Sequence, residues 1–168
     1  MTWYPFDLHP EYPPGGLPRA QLLARYDPGM TERVSRFFAE RGLAYNPHPE
    51  VVPNSRAALR LTELAREHGT HAAMHDRLMD AYWAEAKDIG DLDVLRAEAM
   101  GVGLPADEVD EVLAGDRFLD RVEASTHEAY GFGANAVPAF VIDRRLLVLG
   151  AQPEDVFEQA FAQLEVTT

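Results

Sequence analysis

Cysteine is absent from the 168 residues. Within them, that excludes structural disulfides, thiolate metal ligands and a thiol nucleophile. Basic residues are scarce: 15 Lys plus Arg stand against 28 Asp plus Glu, a formal charge of −13 at pH 7. Such a surface repels phosphate backbones and anionic lipid at long range, so no nucleic-acid partner and no membrane partner is expected. No stretch approaches the roughly 20 apolar residues that span a bilayer. The opening MTWYPFDLHP lacks the basic and apolar regions of a secretion signal, and the chain reads as cytoplasmic. What is present is enough for a core, since 46% of the residues are hydrophobic and the length suits one domain.

Proline and glycine divide the chain. TWYPFDL is a short aromatic run with strand character, demoted to an edge or broken strand by Pro5. HPEYPPGGLP, with four prolines and two glycines, is a loop. A helical turn or two is expected from 18 to about 26, with Pro18 near the first helical position. A second helix over about 28–41 carries Val34, Phe37 and Phe38 on one stripe and ends at Gly42. After the loop YNPHPEVVPNS, Asn54 or Ser55 can cap a helix that buries Leu61, Leu64 and Ala65 and stops at Gly69. Helical period continues over 70–87 through Met74, Leu78, Ala81 and Tyr82. Further helices are expected over 92–100, 105–114 and 116–130, the last with Phe118, Leu119, Val122 and Ala129 inward. The period then changes. PAFVID and LLVLG flank Arg144 and Arg145 as a β-hairpin, and a last helix from Pro153 presents Val156, Phe157, Ala160, Phe161 and Leu164. The order is strand, helices, hairpin, helix, an α/β or α+β layout dominated by helices.

Few residues carry chemistry. His68, His71 and His75 share a helix face only if Gly69 does not end the helix; surface histidines are the better reading, and no metal site is assigned. Asp88, Asp91 and Asp93 lack the spacing of a calcium loop and suit helix capping. GFGANA matches a dinucleotide fingerprint by letters but follows a helix and precedes a strand, the reverse of what that motif needs. Ser35, Ser55 and Ser125 lack a nucleophile elbow. Tyr82, Trp83 and Phe118 read as core, and Asp107, Glu108, Asp110 and Glu111 as a solvated face.

The Val137-Pro138 step remains. Proline at the head of an apolar strand donates nothing to a ladder and holds Val137 out of helical geometry. Only about 5–6% of such bonds in folded chains are cis. A cis bond here would turn the N–H and C=O of Val137 outward, toward an extended peptide or a cysteinyl group.

GANAVPAFVID followed by LLVLGAQP resembles the cis-proline hairpin of the DsbA-like thioredoxin-fold family, in the branch of FrnE-type oxidoreductases and 2-hydroxychromene-2-carboxylate isomerases. WYPFDLHPEYPPGG, PNSRAALRLTELAREHG, LMDAYWAEAKDIGDLDVL and GAQP resemble family blocks in the same order, so the likeness covers nearly all 168 residues. It implies an α/β, thioredoxin-like fold with a large helical insertion over 18–130. Residues 131–168 are then the cis-Pro hairpin and C-terminal helix, all within one domain. It implies Val137 and Pro138 as substrate-binding, with Asn54 where glutathione-using relatives place a polar group.

The resemblance also implies a first strand, a first helix and a nucleophile between them, Cys-x-x-Cys or a serine, which these residues do not contain. TWYPFDL would be the second strand, without its usual neighbour. Three arrangements meet that need: a start upstream of Met1, direct pairing with the hairpin, or a homodimer through the exposed sheet edge. The expected function is the lineage of thiol-disulfide oxidoreductases, inactive in the residues given. The alternatives are a glutathione-dependent isomerase or transferase of the hydroxychromene-carboxylate or kappa type, and a non-catalytic peptide-binding module. The expected partners are thiol or disulfide peptides or glutathione. No cofactor is called for, with glutathione entering as substrate or cosubstrate.

Overall fold

The computed structural model describes residues 1–25 and 29–165. Helices build most of it. β1 (Leu17–Pro18) and α1 (Arg19–Leu23) come first, then α2 (Met30–Ala39) and β2 (Val51–Val52). A run of five helices follows: α3 (Arg56–Glu67), α4 (His71–Trp83), α5 (Leu92–Gly101), α6 (Ala106–Ala114) and α7 (Leu119–Gly131). The hairpin β3 (Ala139–Ile142) and β4 (Leu146–Leu149) precedes α8 (Glu154–Glu165). The expected end of the first helix at 26 and start of the second at 28 lie outside the described residues.

Helix α3 lies at the centre. Leu61, Leu64 and Ala65 recur at helical spacing and are fully buried, which is what one apolar stripe against several neighbours produces. Around them pack Met74, Leu78 and Ala81 of α4, Leu95 and Ala99 of α5, and Val109 and Val112 of α6. Gly69 ends α3 with a left-handed backbone, φ 71°, and the chain turns at once into α4. At α5 the start is fixed by Asp91, whose carboxylate accepts from the N–H groups of Asp93 and Val94. Asp88 acts similarly just before it, accepting from the Gly90 N–H at 2.8 Å.

Two expectations are corrected. Residues 2–8 form no strand. A strand needs a neighbour, and none of the described strands lies beside this segment. Side chains hold its backbone instead: the Asp7 N–H donates to Thr126 Oγ1 at 2.9 Å, and the Trp3 carbonyl accepts from Arg66. The small ladder joining Leu17 to Val52 and Pro18 to Val51 was also not foreseen, because two-residue strands leave no periodic trace. Helix α4 closes at Trp83 rather than 87, where Ala86 turns to a left-handed φ of 56°.

A cluster of charge bridges α4 and α5. Glu98 is 8% exposed and accepts from Arg77 and, at 2.6 Å, from Lys87. Arg77 also grips Glu85, with Nη1 at 2.6 Å. Hydrogen bonds from Arg77, then from Lys87, hold the Glu98 carboxyl below its ordinary value of 4.5, and those same donors lower Glu85 to about 2. A carboxylate with a depressed folded pKa contributes stability above its unfolded value and loses it as pH falls through the folded one.

Two outcomes follow from this core. Leu64→Ala removes a fully buried side chain from the central helix and is expected to cost about 2–5 kcal/mol, read as a lower urea midpoint at unchanged slope. Glu98→Gln removes the buried acceptor and should cost about 1–3 kcal/mol near pH 7. Its deficit against the wild type should shrink as pH falls below 4.5, because the native carboxylate then protonates as well. A deficit constant from about pH 7 to pH 3 would show that Glu98 is not held ionised.

Candidate substrate-holding site

The chain leaves α7, turns through Gly133 (φ 90°) and reaches Val137-Pro138 directly before β3. Ala134 in this passage is buried, at 2% exposure, which pins the loop. The Val137-Pro138 peptide is cis. Pro138 presents its carbonyl to the Gly150 N–H at 2.7 Å, which locks the foot of β3 to the end of β4. Val137 stands outside that lock. It is 55% exposed, and among the described residues neither its N–H nor its C=O takes part in a hydrogen bond. An extended chain laid along it would find one donor and one acceptor at strand spacing.

The hairpin behind this edge is in full register, Ala139 opposite Leu149 through Ile142 opposite Leu146. Alternation puts Phe140 and Val148 on one face. There Phe140 meets Phe157 of α8 edge to face, centroids 5.0 Å apart. The turn is tight: Arg145 N–H donates to the Ile142 carbonyl at 3.0 Å, and Asp143 and Arg144 both take left-handed φ, 52° and 53°. Such a turn favours Asn-Gly.

Asn54 lies elsewhere, at the head of α3. Its Nδ2 donates to the Tyr12 carbonyl at 2.8 Å and its Oδ1 accepts from the Arg56 N–H at 2.9 Å. Asn54 therefore ties the proline loop to α3, while Ser55 makes no side-chain cap. Arg56 continues the clamp, with Nε 3.1 Å from Asp7 Oδ2 and Nη2 3.1 Å from the Pro10 carbonyl. Above this pair opens a cavity of about 220 Å³ bounded by Thr126, His127 and Tyr130 of α7.

The other candidates fall apart in space. Gly69 splits the histidine row: His68 sits past the end of α3, 3.0 Å from Glu108, while His71 and His75 share the first turns of α4, ring centroids 6.3 Å apart. Burial, then the nearby Arg66, pushes His71 below its ordinary value. Glu108 and Glu111 hold Arg117, and Asp110 holds Arg96. Sequence reasoning passed over Arg60. It falls in helical period with Ala57 and Leu64, on the apolar stripe of α3, and that position was the available signal.

The mix of small sheets, hairpin and helical run is that of a thioredoxin-like fold. Residues 1–162 match the DSBA-like thioredoxin domain, and the chain belongs to that family. It is 29% identical over 168 residues to the uncharacterized protein YwbO of Bacillus subtilis (strain 168), spanning 96% of this chain and 80% of that protein. The probable DsbA oxidoreductase SCO1869 from Streptomyces coelicolor is similar in structure, with TM-score 0.84 and 33% identity over 94% of this chain and 72% of that one. A 2-hydroxychromene-2-carboxylate isomerase shares the fold, with TM-score 0.67 at 20% identity over 80% of this chain and 65% of that one.

The turn offers a test of how firmly the site is backed. Asp143→Asn with Arg144→Gly should stabilise the hairpin by about 0.5–1 kcal/mol, since a left-handed conformation costs ordinary residues roughly that or more. The loss of the exposed Arg144–Glu128 pair should offset little of it. Slower amide exchange at Phe140 and Val148, an opposed pair whose N–H groups lie in the ladder, is the expected reading; faster exchange would mean that the side chains of Asp143 and Arg144 outweigh their backbone cost.

Proposed function

We propose that this chain holds thiol or disulfide substrates for a DsbA-like oxidoreductase reaction, with the backbone of Val137 beside Pro138 as the substrate-binding edge. The observation that carries the reading is the free N–H and C=O of the exposed Val137 at the foot of an otherwise closed hairpin. Thiol-disulfide exchange needs a thiolate to attack one sulfur of a disulfide, forming a mixed disulfide and releasing the other sulfur as a thiolate. None of these 168 residues is a cysteine. The attacking sulfur therefore belongs to the substrate or to a group outside them, and this chain contributes alignment. Asn54 in this reading is a positioning residue, fixing the loop of Tyr12 against α3.

A second reading rests on that same lack of cysteine. In a glutathione-dependent isomerase or transferase the reactive thiol belongs to glutathione, so the protein needs none. Its cysteinyl backbone would lie on Val137 in the same way.

Titration of the labelled chain with an extended cysteine-containing peptide and, separately, with glutathione distinguishes the two. Saturable movement of the Val137 amide with the peptide is the expected result, and movement with glutathione alone moves the assignment to the second reading. An amide that ignores both ligands overturns the site. Insulin reduction by the chain alone should stay at the background rate; turnover above it would refute the proposal that the chain only holds its substrate.

A further inference from the structure

We propose that His71 is the trigger of a pH-sensitive latch: neutral, it clasps residues 2–6 against α3 and α4, and its protonation releases them. This inference is independent of the Val137 reading. Residues 2–6 belong to no strand or helix and carry no charged side chain. Side chains of α3, α4 and α7 hold them instead. The Trp3 ring stacks on His75, centroids 4.9 Å apart, and the Trp3 carbonyl accepts from Arg66, whose guanidinium lies over the Tyr4 ring at 5.7 Å. At the far end Phe6 meets Tyr130 of α7 edge to face, centroids 5.3 Å apart.

The chemistry turns on one bond. Arg66 Nη2 stands 3.0 Å from His71 Nε2, and a guanidinium has donors only and is always charged. The imidazole nitrogen must therefore accept, which only an unprotonated Nε2 can do. A proton there sets N–H against N–H and places a second cation beside the guanidinium. The charged groups facing His71 are Arg66 and Glu63 of α3 and His75 of its own helix, and residues 2–6 bring none. Arg66 and His75 oppose a charge on His71, while Glu63 favours it. Glu63 is already engaged: it is buried, and its carboxylate accepts from Arg66 Nε at 3.1 Å. Burial, then Arg66, accordingly holds His71 below its ordinary value of 6.5.

Arg66 is the shared member. It joins Glu63, His71 and the Trp3 carbonyl at once, so a proton on His71 that drives Arg66 aside also frees the Trp3 backbone. His75 is not the trigger, because a charge on that ring alone would face the Trp3 π-cloud favourably. The closed latch binds the His71 proton more weakly than the open one. It is therefore favoured above pH 6.5 and loses ground as pH falls below it, by up to about tenfold in the open-to-closed ratio per pH unit. The segment runs on into Asp7 and Pro10, which with Tyr130 line the cavity of about 220 Å³. Acidification thus loosens the stretch that leads into one wall of that cavity.

The test is an NMR titration of the full labelled chain from about pH 8 to about pH 5, the range in which histidine changes charge. The His71 Cε1–H shift reads the proton, heteronuclear NOEs of the Trp3 indole N–H and the Tyr4 amide read order, and the amides of buried Leu64 and Leu95 monitor the core. Both NOEs should fall with the His71 midpoint, below pH 6.5, while Leu64 and Leu95 hold their shifts. His71→Gln keeps an acceptor for Arg66 and gains no proton, so it should stay closed to about pH 5. His71→Lys fixes the charge and should be open at about pH 8. His75→Phe keeps a ring on Trp3 and should open as the wild type does. The proposal is overturned by a Trp3 that stays ordered once His71 has protonated, by opening of His71→Gln at the wild-type midpoint, or by a His75→Phe that stays closed. Loss of the Leu64 and Leu95 signals together with those of Trp3 would also overturn it, since the event would then be global unfolding. Should His71→Lys not fold, the wild type and His71→Gln decide without it.

Discussion

The structure depends on the burial of one helix on several sides. Leu61, Leu64 and Ala65 of α3 are at or near zero exposure, and α4, α5, α6 and α7 all pack against α3. A helix buried in this way cannot shift without disturbing each neighbour, because interiors are packed as densely as organic crystals. The amino-terminal loop inherits its placement from that constraint. The clamp of Asn54 and Arg56 stands on the first turn of α3, and Thr126, which receives the Asp7 N–H, stands on α7 beside it. Order therefore passes from the core to the amino-terminal loop through side chains rather than through a sheet.

Charge follows the same logic. With 28 acidic residues, most cations are taken up: Arg77 and Lys87 by Glu85 and Glu98, Arg117 by Glu67, Glu108 and Glu111, Arg121 by Glu67. On the surface such pairs add little individually. Their effect here is selective. They occupy the exposed basic groups and leave an acidic exterior, while the buried guanidinium of Arg60 is held by the Gly115 carbonyl and has no carboxylate bound to it among the described residues.

The helices were legible because their periodicity and punctuation agree. Leu61, Leu64 and Ala65 with Gly69, and Asp91 ahead of Leu95 and Ala99, each combine a stripe with a stop or a cap, and local and tertiary preferences point the same way. The hairpin was legible for a related reason: two apolar runs of four flank a short polar link. Residues 2–8 misled because aromatic and β-branched content reports fitness for a pleated surface, not the presence of a partner strand. Arg60 was missed because a period marks which face of a helix turns inward but not whether every donor on that face is satisfied.

In the proposed reading, the hairpin separates holding from attacking. Attack on a disulfide needs a thiolate, and a thiolate needs a tuned electrostatic setting; an edge that receives a peptide needs only free backbone groups at strand spacing. Val137 would meet the second requirement without any special side chain, since the Gly150–Pro138 bond closes the ladder just behind it and its own N–H and C=O are unused among the described residues. Side-chain substitution at Val137 should then matter less than any change that removes its N–H or loosens β3 from β4. The packing of the hairpin agrees with this: Phe140 meets Phe157 and β4 packs on α8, so the edge at Val137 adjoins a packed hairpin rather than a free ribbon. The edge as proposed needs no cysteine, because the contacts that shape it among the described residues, Gly150 N–H to Pro138 and Phe140 to Phe157, involve no sulfur.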